Sequence, residues 1–280
     1  MSTNSFLPLY NQRNHSLRTC PEQANIGLWY DKFCDTWELV YKQGDWEKTW
    51  NKQKAYWTDK VAGKIVGDQQ QLDELVRERY LSLVKQYRGN MLFMRTISRF
   101  VTGIGRPHPV ENGMSWHHTL SVPYLAGSSV KGMVRAWTEQ WMEEQVSKKE
   151  LDRIFGPDDP DLREVGHILF LDAVPVQPVK LEKEIITVHY QDYYRRPYLY
   201  TPVDSGNPKP NPFLCVAAGV TFVFPILPRS AYAGYKEDVK KVSNWLKQAL
   251  EWSGAGAKTS SGYGRFTEDH RFDELRSVLG

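Results

Sequence analysis

Thirteen residues, Gly254 to Phe266 (GAGAKTSSGYGRF), gather Gly254, Gly256, Gly262 and Gly264 with Lys258, Thr259, Ser260, Ser261, Tyr263 and Arg265, and include no acid. Glycine lets the backbone approach a ligand closely, and successive free amides form an anion-binding concavity. Lys258 and Arg265 add full charge, and Tyr263 offers a π face on which a base can stack. The chemistry this suits is holding a phosphodiester backbone. Two plainer roles compete with it: Gly254 follows an amphipathic helix and can be its C-cap, and the remainder can be an ordinary turn into a strand. A nucleotide P-loop is rejected. That motif needs glycines six and one residues before its lysine, where this chain has Trp252 and Ala257, and it follows a strand rather than a helix.

A second cationic group lies upstream. From Lys85 to Arg135 there are seven basic residues, including Arg95, Arg99, Arg106, Lys131 and Arg135, against the single acid Glu111. Net charge over the chain is only +3, so this stripe points to an anionic partner on one face rather than to a basic field over the molecule. Ser128 and Ser129 open an expected helix, and its free amides, the two hydroxyls and Lys131 make a second phosphate site. Lys131 and Arg135, four residues apart, neighbour each other on that helix.

His108, His117, His118, His167 and His189 could supply a general base for metal-independent RNA cleavage. His117 and His118 cannot both face one side of a strand, because neighbours point oppositely. Asp172 is a candidate acid at a strand end, without a second carboxylate at metal-site spacing. The acidic run at Asp158, Asp159 and Asp161 lacks the spacing of a calcium-binding EF-hand and reads as a solvated turn. Binding without catalysis is the expectation, with no cofactor and no metal.

These residues need elements to position them. Residues 1–24 read as an irregular arm. Apolar residues at helical spacing over Ile26–Tyr41, more weakly over Trp46–Val61, and clearly over Leu72–Tyr87 predict a helical N-terminal region, residues 1–90. From Met91 the pattern changes. Strands are expected at Met91–Gly105, where Arg95 and Arg99 would share a sheet face, at Gly166–Val176 and at Phe213–Leu227. Helices are expected from Ser128 or Ser129 to Gln145 and over Val239–Leu250, and a short strand should follow the glycine loop. The order β-α-β-β-α-β predicts an α+β, ferredoxin-like or RRM-like core over residues 91–280, with loop insertions near 177–212. RNA-recognition modules of this topology bind RNA on an open sheet face.

Composition narrows the class. The 41% hydrophobic and 25% charged fractions suit a soluble globular protein. Cys20, Cys34 and Cys215 are widely spaced and form no CxxC, so reduced thiols and a cytoplasmic location are expected. The opening residues lack a signal-peptide core and no stretch is long and apolar enough to span a bilayer, so no membrane partner is expected.

The motifs together resemble a known family. The glycine loop is similar to the signature loop of the RAMP superfamily of CRISPR-associated proteins. The stretch Thr102–Arg135 (TGIGRPHPVENGMSWHHTLSVPYLAGSSVKGMVR), with LDAVPVQPV at Leu171–Val179 and TVHYQDYY at Thr187–Tyr194, resembles the family of sixth subunits of the Cmr module, the type III-B CRISPR effector. One departure is Ala126, where that family often has proline before Gly-Ser-Ser. The resemblance implies a non-catalytic subunit at the head of a filament in antiviral defence, binding the 3′ part of the guide (CRISPR) RNA and the paired target RNA. Implied partners are the backbone RAMP subunits, which cut target RNA, the small helical subunit and the other head subunit. The competing expectation is a RAMP endoribonuclease that processes CRISPR RNA with a histidine base. Crosslinks to neighbouring subunits without RNA crosslinks would instead mark a protein adaptor.

Overall fold

The computed structural model describes residues 19–277 except 23, 36, 43–44, 51–53, 143–144, 163 and 202–208. Most of the expected N-terminal arm lies outside these residues. Ten strands are described: β1 (Trp37–Lys42), β2 (Asp45–Trp50), β3 (Ile65–Val66), β4 (Asn90–Thr96), β5 (Ile168–Phe170), β6 (Val174–Pro175), β7 (Val179–Val188), β8 (Lys209–Val216), β9 (Thr221–Pro228) and β10 (Phe266–Glu268). The α-helices are α1 (Ile26–Lys32), α2 (Lys54–Asp59), α3 (Gln69–Asp73), α4 (Leu81–Tyr87), α5 (Gly127–Trp141), α6 (Lys148–Phe155), α7 (Gln191–Arg195), α8 (Tyr235–Gln248) and α9 (Asp273–Ser277). Chain contacts divide them into two compact units: residues 1–64, 103–114 and 181–215, and residues 65–102, 115–180 and 216–280.

The second unit holds the expected core. Its main sheet runs β10-β4-β9-β5, with β6 also on β9, and these pairings are antiparallel. With α5 between β4 and β5, and α8 between β9 and β10, this is the βαββαβ arrangement in ferredoxin-like order. The fold is α+β, as the sequence order implies. Register is tightly set because β9 is buried along its whole length, so slipping it by one residue would disrupt both faces. Arg153 of α6 grips Asp238 of α8 through two hydrogen bonds of 2.9 and 2.7 Å, joining those helices.

The sheet is not open on its second face. Leu72, Val76, Tyr80 and Val84 bury against Met91, Phe93, Val223 and Leu227. They project from one helical run in which α3, a π-helical segment (Glu74–Tyr80) and α4 follow without a break. A helix therefore covers the surface that corresponds to the open sheet face on which RNA-recognition modules bind RNA.

The expected helical region 1–90 also differs. Residues 37–42 and 45–50 form the antiparallel β1–β2 pair, registered from Trp37 opposite Trp50 to Lys42 opposite Asp45. Tryptophan, tyrosine and valine favour strands, and the spacing over this stretch did not discriminate. In the first unit α1 is capped by Asn25, whose Oδ1 accepts from the Leu28 N–H at 2.9 Å. Trp29 and Tyr30 pack on Trp57, whose indole N–H donates to the Tyr30 carbonyl at 3.1 Å. The expected strand Phe213–Leu227 is two strands, broken at Ala217–Val220, where the Gly219 N–H donates to Thr96. Part of the insertion expected as loop is the ten-residue β7, which pairs β3 and β8.

Candidate nucleic-acid interface

The glycine loop folds back on its own chain. The Ala257 and Gly264 N–H groups donate to the Val101 and Arg99 carbonyls, each at 2.8 Å, and Ala255 donates to Gly264 at 2.8 Å. A Cβ on Gly256 would lie 2.1 Å from the Val101 oxygen, and one on Gly264 would lie 1.9 Å from the Ala255 oxygen. Gly254 ends the helical run, its N–H donating to Ala249 at 2.8 Å. The glycines read as ligand-approach positions thus serve the loop's docking on the 97–101 backbone. Gly262 alone of the four has open space where a side chain would stand. Thr259–Ser261 form a short 3₁₀ turn with Ser260 and Ser261 exposed, and Lys258 and Tyr263 are half-buried beside it. The Arg265 backbone N–H donates to Ser98 Oγ at 3.1 Å, while its Nη1 is buried without a hydrogen-bond partner among the described residues.

The second segment is α5. Its N-cap is Ala126, whose side chain makes no capping bond, and neither Ser128 nor Ser129 caps it. Asp172 does so from the loop after β5: its Oδ1 accepts from the Gly127 N–H at 2.7 Å. A carboxylate at a helix N-terminus favours the dipole as a phosphate would. The first amide is therefore already satisfied, and Ser128 and Ser129 stand exposed in the first turn. Gly127 is required for close approach, since a Cβ would lie 2.1 Å from the Phe170 oxygen.

Lys131, Arg135 and Arg229 converge on a cavity of about 400 Å³ that Ser128, Phe155 and Gly156 also line. Burial, then the charges of Arg135 and Arg229, hold the Lys131 ammonium below the ordinary lysine range. Arg135 is committed to structure. It bonds Glu139 at 2.7 Å and the Gly156 carbonyl at 3.2 Å, and it pairs with Asp158. Arg229, which sequence reasoning missed, donates to the Gly166 carbonyl at 3.3 Å. A single arginine at a strand end carried no signal in the sequence; only the fold gathers it.

The two segments belong to one unit and are linked through short steps. Ala257 bonds Val101; the adjacent Thr102 hydroxyl donates to the Tyr124 carbonyl at 2.9 Å; Leu125 pairs with Ala173; and Asp172 caps Gly127. The other expected contacts scatter. Arg95 is exposed on β4, but the strand ends at Thr96, where Ile97 turns to bond the Arg265 carbonyl, so Arg99 does not share its ladder face. Arg106 is exposed in the first unit.

His108 is withdrawn from any surface role. Its ring stacks on Tyr30 at 4.6 Å, and its side chain is 3% exposed. Nδ1 accepts from the Val110 N–H at 3.2 Å, so Nε2 carries the hydrogen and donates to the Tyr30 carbonyl at 3.2 Å. Burial brings its pKa down to about 4. His117 is half-buried, with Nδ1 accepting from the Leu120 N–H at 3.4 Å and facing the Thr119 hydroxyl at 3.2 Å. Burial holds it below the usual histidine range, partly offset by the Asp172 carboxylate. No group of three or more metal-ligating side chains occurs among the described residues, and none of their helices is long and apolar enough to cross a membrane.

The sequence model of the RAMP superfamily matches residues 93–267, the span that holds the antiparallel βαββαβ sheet and the glycine-rich loop before its last strand. The chain belongs to the RAMP superfamily. Within it, the chain is similar to Cmr subunit Cmr6 of Pyrococcus furiosus, 27% identical over 231 residues that cover 62% of this chain and 66% of that one. It is also similar to Cmr6 of Saccharolobus solfataricus, 27% identical over 158 residues, covering 56% and 48%. The match thus spans less than two thirds of either relative. Among solved structures, a chain of a type III-B Cmr-beta complex bound to cognate target RNA superposes with a TM-score of 0.60. It is 22% identical and is matched over 77% of this chain and 71% of that chain, a likeness of fold.

Proposed function

We propose that this protein is a non-catalytic, RNA-binding structural subunit of a type III-B CRISPR effector, holding guide RNA and the target paired to it while other subunits cut. One observation carries the reading. The glycine loop and the α5 N-terminus, two cationic segments 127 residues apart in sequence, are tied into one unit through Val101, Thr102 and Tyr124. Similarity to Cmr6 supplies the class of complex, and the RAMP match supplies the family.

Holding without cutting is favoured by how the candidate bases are used. His108 is buried and neutral, His117 spends Nδ1 on its own loop, and Asp172 spends an oxygen on a helix cap. A general base must reach the hydroxyl it activates. Co-expression with the other subunits of a type III-B effector and a guide RNA tests the proposal. The chain should co-purify in the particle with intact guide, and Lys131→Ala with Lys258→Ala should weaken RNA retention. A particle that assembles on guide RNA without this chain, or RNA cut by the isolated chain without metal, would overturn it.

A further inference from the structure

The helical run that ends in the glycine loop changes pitch in its last turn. Residues Ala249–Ser253 form a π turn after α8, closed by the Gly254 N–H on the Ala249 carbonyl. In a regular helix Trp252 would fall on the same stripe as Trp245, seven residues earlier, and beside Ala249, three residues earlier. Both are buried, Trp245 being 7% exposed and Ala249 0%. The π turn instead rotates Trp252 off that stripe, and it stands 71% exposed.

What Trp252 stands beside gives its ligand. Gly254, two residues on, is packed against the glycine loop's far end; a Cβ there would lie 2.8 Å from the Gly264 oxygen and 3.4 Å from the Arg265 Cδ. The half-buried Arg265 side chain thus runs past the turn that presents the indole. The π turn also packs on α5, the helix that carries Lys131. An exposed indole adjoining a cationic loop fits an unpaired base, whose ring stacks on the indole while its phosphate meets the guanidinium.

Resting on the RNA-binding reading, we propose that Trp252 is a stacking platform for an unpaired RNA base whose phosphate lies against the Gly254–Arg265 loop. The test is fluorescence anisotropy of the full chain with a labelled oligouridine and with an abasic ribose-phosphate oligomer of equal length. The wild type should bind the oligouridine more tightly than the abasic chain. Trp252→Ala should weaken oligouridine binding by about 5- to 150-fold and close that gap, while Trp252→Phe should retain most of it.

Trp141→Ala is the control. It removes an equally solvent-facing indole, 65% exposed, roughly 20 Å along α5 from the Gly127 end, and should change nothing. Both alanine variants should melt like the wild type, because neither side chain is in the core. Unchanged oligouridine affinity in Trp252→Ala overturns the inference and leaves the RNA-binding reading standing. Loss of co-purification with neighbouring subunits without loss of RNA affinity overturns it in favour of a protein contact. A wild type that binds neither oligomer overturns both.

Discussion

Neutral His108 sits between an amide it accepts from and a carbonyl it donates to, an arrangement that protonation would break at Nδ1. A histidine in an unfolded chain takes its proton near pH 6.5, whereas the folded ring does so at about 4. Its contribution to stability is therefore complete above pH 6.5, declines as pH falls to 4, and is exhausted below. A gap of this size corresponds to about 3 kcal/mol. Denaturant titrations at pH 7 and pH 4.5 should show this loss in the wild type and a shallower pH dependence in His108→Gln, which should also be less stable at pH 7. Parallel pH dependence in the two proteins would remove the ring from the explanation. Nothing in the sequence distinguishes this packed imidazole from a surface one, since its partner Tyr30 lies 78 residues away.

At the level of elements, the glycine loop was found for a reason the fold rearranges. Its composition announced an anion site, yet the constraint on Gly256 and Gly264 is contact with the chain's own carbonyls. Gly264→Ala, with φ of 68° and an oxygen 1.9 Å from the new carbon, should cost roughly 2–5 kcal/mol through strain and overpacking. Gly262→Ala, with φ of 88° but open space, should cost about 1–2 kcal/mol from backbone strain alone. Thermal melts of the pair would separate a docked loop, with unequal losses, from a free one, with similar losses.

The βαββαβ order was readable because α5 and α8 carry long amphipathic stripes, β4 opens on the apolar run Met91–Met94 and β9 is rich in β-branched and aromatic residues. The strand β7 was missed although Val179 and Leu181 alternate with Lys180 and Glu182, because tyrosine and proline runs just beyond it suggested a loop. The β1–β2 pair was missed because its tryptophans also fit a helical spacing. The cover over the sheet was invisible for another reason. Leu72–Tyr87 reads as an amphipathic helix in sequence, but which surface it buries is decided by residues more than a hundred positions away, such as Val223 and Leu227.

Across the whole molecule, a net charge of +3 leaves little general attraction for a polyanion, so binding must come from a few placed cations. Many basic side chains are already spoken for: Arg153 by Asp238, Lys241 by Glu150, Lys60 by Asp35 and Arg135 by Glu139 and Asp158. If Lys131, Arg229, Lys258 and Arg265 each meet one phosphate, the logarithm of affinity for single-stranded RNA should fall with the logarithm of salt at a slope of about −3. Lys131→Ala should make that slope shallower by about 0.7, because one fewer counterion is released. Arg135→Ala, four residues along the same helix, should leave the slope nearly unchanged and lower the melting temperature instead, because its guanidinium braces the Gly156 turn. Anisotropy titrations over a salt series, with melts of both variants, measure the two effects separately. Equal slope changes for the two variants would mean that Arg135 releases its carboxylates to take RNA, and that the ion network over this helix is a store of phosphate contacts rather than a fixed brace.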